Sequence, residues 1–147
     1  FVCPLRAGEE QAQCFLHFDA SALEITQISA QGLALPERAR LALADGYLPL
    51  DAHLFDHDAL VIEYHQCHEV SLCSPNKKPY LTVAFDAPLF GVWSPAGKHA
   101  PFVCIEPWYG RCDAEGFSGT LSEREWSNTL PAGKVFEASY VIRPITD

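Results

Sequence analysis

The chain has 147 residues, 48% hydrophobic and 20% charged, enough for one domain with a real core and unlike a disordered or fibrous sequence. A net charge of −9 with a pI near 5.0 disfavours nucleic acid as a partner, because phosphate binding needs a basic patch. No apolar run approaches the roughly 20 residues of a membrane helix.

An acidic surface fits a cytoplasmic protein acting on a neutral small molecule and repels anions unless local cations intervene. The chain opens on Phe1-Val2-Cys3-Pro4-Leu5 with no initiating Met, basic leader or apolar signal core, and reads as the middle of something longer. Its elements are mostly period-two runs separated by turn residues. Gln13 to Asp19 alternates apolar and polar, and Leu23 to Ile28 does so more loosely. Pro36 to Asp45 is the one segment with a helical pattern, with Pro36 near its start and Gly46 closing it. Ala59 to Tyr64 reads as a buried strand and is followed by Val70 to Cys73 and a Ser74-to-Lys77 turn. Tyr80 to Phe85, Phe90 to Trp93 and Phe102 to Ile105 are further strands. Val135 to Ile142, entered through Ala132-Gly133, is the clearest of all. One short helix among about eight or nine strands gives an all-β antiparallel sandwich.

The six cysteines do not look like a disulfide framework. Cys14, Cys67, Cys73 and Cys104 lie in apolar or alternating stretches, where cysteine serves as a small hydrophobe. Reduced thiols are expected.

Glu106 is the leading chemical candidate. It ends a hydrophobic strand, is followed by a proline expected to stop the ladder, and is flanked by Ile105 and Trp108. Such surroundings desolvate a carboxylate, which suits a general base or acid, although an edge-strand Glu with its head in water fits the pattern equally well. Trp93, Trp108, Tyr109, Arg111 and Asp113 stand around it, and aromatic platforms with a few polar groups are what sugar pockets use. Plain core packing is the competing reading for each Trp. His65-Gln66-Cys67-His68 with Cys73 offers soft ligands, but a strand sends His65 and His68 to opposite faces, so no metal is expected. Asp51, Asp56, His57 and Asp58 around Phe55 read as turn formers. No glycine-rich phosphate loop or serine nucleophile elbow is present. Gly116 to Gly119 lacks that spacing.

Phe85 to Ser94 followed by Ala100 to Asp113, with Ile105-Glu106-Pro107-Trp108 after Gly91-Val92-Trp93, resembles the aldose 1-epimerase (galactose mutarotase) superfamily, in particular its LacX-type branch. Leu48 to Leu60 and the strand after Leu130-Pro131-Ala132-Gly133 look like the same branch. The resemblance runs from Phe1 to about Ile142. It implies that residues 1–147 are one unit, the C-terminal half of a larger antiparallel β-supersandwich.

The implied activity interconverts the α and β anomers of a free hexose by ring opening, without a cofactor. A Glu takes the anomeric proton while a His protonates the ring oxygen. Glu106 matches the base by its place in the motif, and Trp93, Trp108, Arg111 and Asp113 fall around it. Asp58 is the nearest counterpart of the family's substrate-binding Asp. The acid His belongs to a His-Pro-x-Phe motif whose tail resembles Phe1 to Leu5, so it falls before residue 1. Where the family has a Gln two residues before the strand aromatic, this sequence has Gly91. The alternative is a non-catalytic carbohydrate-binding or regulatory module on the same scaffold. Exposed strand edges also imply self-association of the isolated chain.

Overall fold

The computed structural model describes residues 1–145. Eleven strands follow in chain order: β1 (Val2–Pro4), β2 (Phe15–Phe18), β3 (Ala22–Ile28), β4 (Ala34–Ala42), β5 (Tyr47–Pro49), β6 (Leu60–Glu63), β7 (Glu69–Cys73), β8 (Pro79–Phe85), β9 (Leu89–Trp93), β10 (Phe102–Trp108) and β11 (Tyr140–Pro144). They form a six-stranded sheet in the order β1-β10-β9-β6-β3-β4 and a five-stranded sheet in the order β11-β8-β7-β2-β5. Every pairing between these strands is antiparallel.

The expected alternation becomes the sandwich core. Ile62, Phe90, Val92, Val103 and Ile105 of the larger sheet pack with Leu16, Phe18, Val70, Leu72, Val83 and Phe85 of the smaller one. Phe90 bridges the layers, its ring centroid 5.0 Å from that of Phe85 and 6.4 Å from that of Phe18. Each such side chain contributes roughly 1.5–3 kcal/mol on burial. The six cysteines are free thiols, and all but Cys112 are buried. Among the described residues no helix is long and apolar enough to cross a membrane.

Three local expectations are corrected. The helix expected over Pro36 to Asp45 is instead strand β4, and the only helical turns among the described residues are 3-10, at Gln11–Gln13 and Leu121–Glu123. Ala39 pairs with Ile25 and Leu41 with Leu23, so cross-strand packing overrides the local helical preference. Pro36 is tolerated because β4 is an edge strand and the register shifts opposite it, between Thr26 and Ile28.

The strand expected over Val135 to Ile142 forms only from Tyr140, while Val135 and Phe136 are 79% and 54% exposed. Tyr140 pairs with Phe85, the last residue of β8, so the residues before it have no β8 neighbour to join. Pro107 does not stop β10 either, since Pro107 pairs with Phe90 and Trp108 with Leu89. Ile105 N–H donates away from β9, to the Phe1 carbonyl, and Pro107 two residues on turns its donor-less nitrogen to that same flank. The β9 ladder therefore continues past it.

Candidate active site

Register places Glu106 on the outer face of the larger sheet. Ile105 and Val103 point to the core, so Cys104, Glu106 and Trp108 point the other way. Their partners Trp93, Gly91 and Leu89 share that face, as do Val61 and Glu63 of β6 and Thr26 of β3. Residues beyond β10 fold back across part of it. Two backbone bonds stitch them to the start of β4, from Ala34 N–H to the Asp113 carbonyl (2.8 Å) and from Glu115 N–H to the Ala34 carbonyl (2.8 Å).

Glu106 is half-buried, and its Oε2 accepts a hydrogen bond from Trp108 Nε1 at 3.2 Å. Cys104 lies beside it; burial and then the Glu106 charge push that thiol up, so it stays a neutral neighbour. Glu106 has no ion-pair partner among the described residues.

The Trp108 indole covers Gly91. A Cβ at position 91 would fall 2.5 Å from two of its ring carbons. This explains the glycine in a strand otherwise built of large residues: it is the floor on which the indole lies. Gly91→Ala should displace Trp108, costing about 1–3 kcal/mol. Urea denaturation and the tryptophan emission spectrum check this, and an unshifted spectrum with unchanged stability contradicts the packing.

Trp108, Arg111 and Asp58 line a cavity of about 300 Å³ with Ile28, Gly32, Ala59, Val61, Gly110 and Cys112. That is the lower end of the range for small-ligand pockets. Asp58 sits at its rim in a left-handed conformation (φ 77°), its Oδ1 accepting from Ala59 N–H at 2.7 Å. Glu106 and Trp93 share the outer face, but neither lines this cavity; Glu106 adjoins it through Trp108. Asp113 is turned to an ion pair with Arg124. The Asp51-to-Asp58 segment is a series of turns, with His53 N–H on Asp51 Oδ1 at 2.8 Å and His53 Nδ1 2.8 Å from Asp56 Oδ2.

Sequence reasoning missed Glu63. It is 0% exposed and carries three hydrogen-bond donors and a second cation. Oε1 accepts from Arg111 Nε at 2.6 Å and Trp126 Nε1 at 2.5 Å, while Oε2 accepts from Thr26 Oγ1 and lies 3.3 Å from Arg38. Arg111, 4% exposed at its side chain, also holds Glu125 and the Cys112 carbonyl (2.8 Å). A second layer closes over this pair. Tyr64 OH donates to Glu125 at 2.9 Å, and the Tyr64 ring packs 5.1 Å from Trp126. The available signal was a lone charge ending the buried Leu60-Val61-Ile62 run, since a buried carboxylate demands a partner.

Burial pushes the Glu63 carboxyl up, but the bonds from Thr26 and Arg111, the Arg111 charge and the Trp126 bond outweigh it and hold it below its ordinary 4.5. With the folded value depressed, the stabilisation is present above that ordinary value and is lost as pH falls through the folded one. The unfolding free energy of wild type should therefore drop below pH 4.5 with a steeper slope than that of Glu63→Gln. Chemical denaturation across that range measures it, and equal slopes contradict it.

No family model matches the chain. Two curated relatives from Lactococcus lactis subsp. lactis, the chromosomal and the plasmid protein LacX, are each 31% identical over 121 residues, covering 75% of this chain and 38% of the relative. A solved galactose mutarotase related enzyme from Lactobacillus acidophilus is 28% identical with a TM-score of 0.85. It matches 99% of this chain and 49% of its own. A galactose mutarotase-like protein from Lactobacillus casei ATCC 334 is 23% identical with a TM-score of 0.71, over 97% of this chain and 49% of its own. This chain thus spans less than half the length of the curated relatives and about half that of the solved structures. The fold is that of the galactose mutarotase-like proteins. The chain belongs to the aldose 1-epimerase-like superfamily, in its LacX-type branch.

Proposed function

We propose that the chain is the C-terminal half of an aldose 1-epimerase-type isomerase, with Glu106 as the general base that opens the ring of a free hexose. The observation that carries this is the contrast between its two face-mounted glutamates. Glu63 has both oxygens occupied, by three donors and the Arg38 cation, and no exposed surface. It stays an anion and cannot exchange a proton with a substrate. Glu106 is half-buried, unpaired by any cation among the described residues, and oriented by one indole N–H. A base needs a free lone pair, a fixed direction and partial shelter from water, and Glu106 has all three.

In this reading Glu106 takes the anomeric hydroxyl proton while a His from the N-terminal half protonates the ring oxygen. The open aldehyde rotates about C1–C2, and the reversed steps close the ring to the other anomer. Trp108 supplies an apolar surface for the sugar's C–H face, with Trp93 on the same side of the sheet. Asp58 at the cavity rim is placed to accept from hydroxyls. Arg111 shapes the cavity wall through its clamp on Glu63, and Asp113 supports the adjoining loop through Arg124. The substrate class is a neutral hexose, the compartment the cytoplasm, and no cofactor takes part.

The test is polarimetry on the full-length protein with a freshly dissolved hexose anomer, paired with a sugar titration read by tryptophan fluorescence. Saturable binding with accelerated anomerisation is expected. Binding without rate enhancement instead makes the protein a carbohydrate-binding module, and neither response removes the sugar reading altogether. The 147-residue chain alone should be inactive and self-associating, since Val135, Phe136, Tyr140 and Val141 are exposed and β4 and β11 are sheet edges. Sedimentation velocity checks that; a monomer with a cooperative calorimetric transition contradicts it.

A further inference from the structure

His65, His68 and Asp86 each bring a ligand atom to within 4.8 Å of one another. Strand alternation would forbid this, but the backbone from Tyr64 is not a strand. Tyr64 and His65 are both left-handed (φ 66° and 52°) and turn the chain sharply after β6. The two imidazoles consequently lie together, centroids 5.4 Å apart with 34° between their planes. The third ligand comes from neither Cys67 nor Cys73 but from Asp86, just past the end of β8. Its Oδ1 lies 3.9 Å from His68 Nδ1.

Both segments are crossovers between the two sheets, β6 to β7 and β8 to β9. They are already bonded to each other. His65 N–H donates to the Pro88 carbonyl at 3.0 Å and Phe85 N–H to the His68 carbonyl at 2.9 Å. Between the histidines, Gln66 Nε2 donates to the Glu24 and Glu63 carbonyls (2.9 and 2.8 Å), and the buried Cys67 thiol donates to Asp19 at 2.6 Å. The ligands therefore stand on a fixed main-chain frame, which lowers the ordering cost of assembling a site.

We propose that His65, His68 and Asp86 bind a divalent transition-metal ion of the zinc class, which clamps the two inter-sheet crossovers together. Two imidazoles and one carboxylate are borderline donors that suit zinc, cobalt or nickel better than magnesium or calcium. Bonds of about 2.0–2.2 Å require donor atoms about 3.5 Å apart, a side-chain adjustment of about 1 Å from the present spacing. His65 is exposed and the Asp86 side chain is 97% exposed, so both have room to make it. Water completes the coordination, and the acidic chain favours cation uptake. The ion would be structural, and the anomerisation proposed above does not use it.

The experiment titrates the full-length protein with zinc chloride by calorimetry and with cobalt(II) chloride by absorption spectroscopy. One ion per chain is expected, with a saturable rise in melting temperature on the order of 5 °C at excess zinc. His68→Ala and Asp86→Asn should each weaken binding about tenfold or more, whereas His99→Ala should leave it unchanged. Magnesium chloride should give no response. The cobalt complex should lack a sulfur-to-metal charge-transfer band, since no thiol is a ligand. Absence of binding, binding undiminished in folded His68→Ala, or a sulfur band overturns the assignment.

Discussion

Replacing Arg111 with Met is expected to destabilise the protein by about 3–5 kcal/mol, because it leaves Glu63 as a buried carboxylate without its main countercharge. Glu63 has no exposed surface, and Arg111 is its closest cation. Removing one partner of such a pair costs far more than the pair itself contributes, since the remaining charge keeps its desolvation penalty. Thr26 and Trp126 would still donate to the carboxylate, and Arg38 at 3.3 Å would compensate part of the loss. Adding Glu63→Gln to Arg111→Met should recover much of the stability, because the neutral amide can accept from Trp126 Nε1 through its oxygen and donate through its NH2 to the Thr26 hydroxyl, which turns to accept. A double-mutant cycle from guanidinium denaturation measures the coupling. A cost below about 1 kcal/mol for Arg111→Met, typical of exposed pairs, contradicts the buried clamp.

Glu106→Gln is expected to lower the anomerisation rate of the full-length protein by about 10²–10⁴-fold, the usual contribution of a positioned general base. The substitution is nearly isosteric, and the Gln amide oxygen can still accept from Trp108 Nε1, as Glu106 does at 3.2 Å. Stability and sugar binding should therefore change little, so the loss appears in kcat rather than KM. The two variants separate two roles on one sheet face. Arg111 is expected to act through the fold, whereas the role proposed for Glu106 is proton transfer.

Much of the fold was legible because its strands have one face in the core. Phe102 to Ile105 and Phe90 to Trp93 announce themselves as short apolar runs rich in aromatic and β-branched residues, and both are buried over most of their length. Pro36 to Asp45 misled because Glu37, Arg38, Arg40 and the Ala and Leu residues around them are good helix formers, a local preference that pairing with β3 overrides. Val135 to Ser139 misled for the converse reason: its strand propensity is real, but no neighbour continues past Phe85 to pair with it.

The candidate site was legible in its geometry where a motif fixed it. Glu106 and Trp108 stand two apart on one strand and so share a face by necessity. Gly91 looked like a departure and proves to be the floor under the Trp108 ring. Glu63 and the His65–His68–Asp86 convergence were not legible. The first depends on Arg111 and Trp126 returning from far along the chain, the second on two consecutive left-handed residues.

The most direct test of Glu106 as the base is the polarimetric rate at which full-length protein equilibrates a pure hexose anomer, compared between wild type and Glu106→Gln at matched fold by circular dichroism. The expected result is acceleration by wild type that falls at least about 100-fold in the variant, with sugar binding retained. Equal acceleration by both proteins contradicts Glu106 as the base.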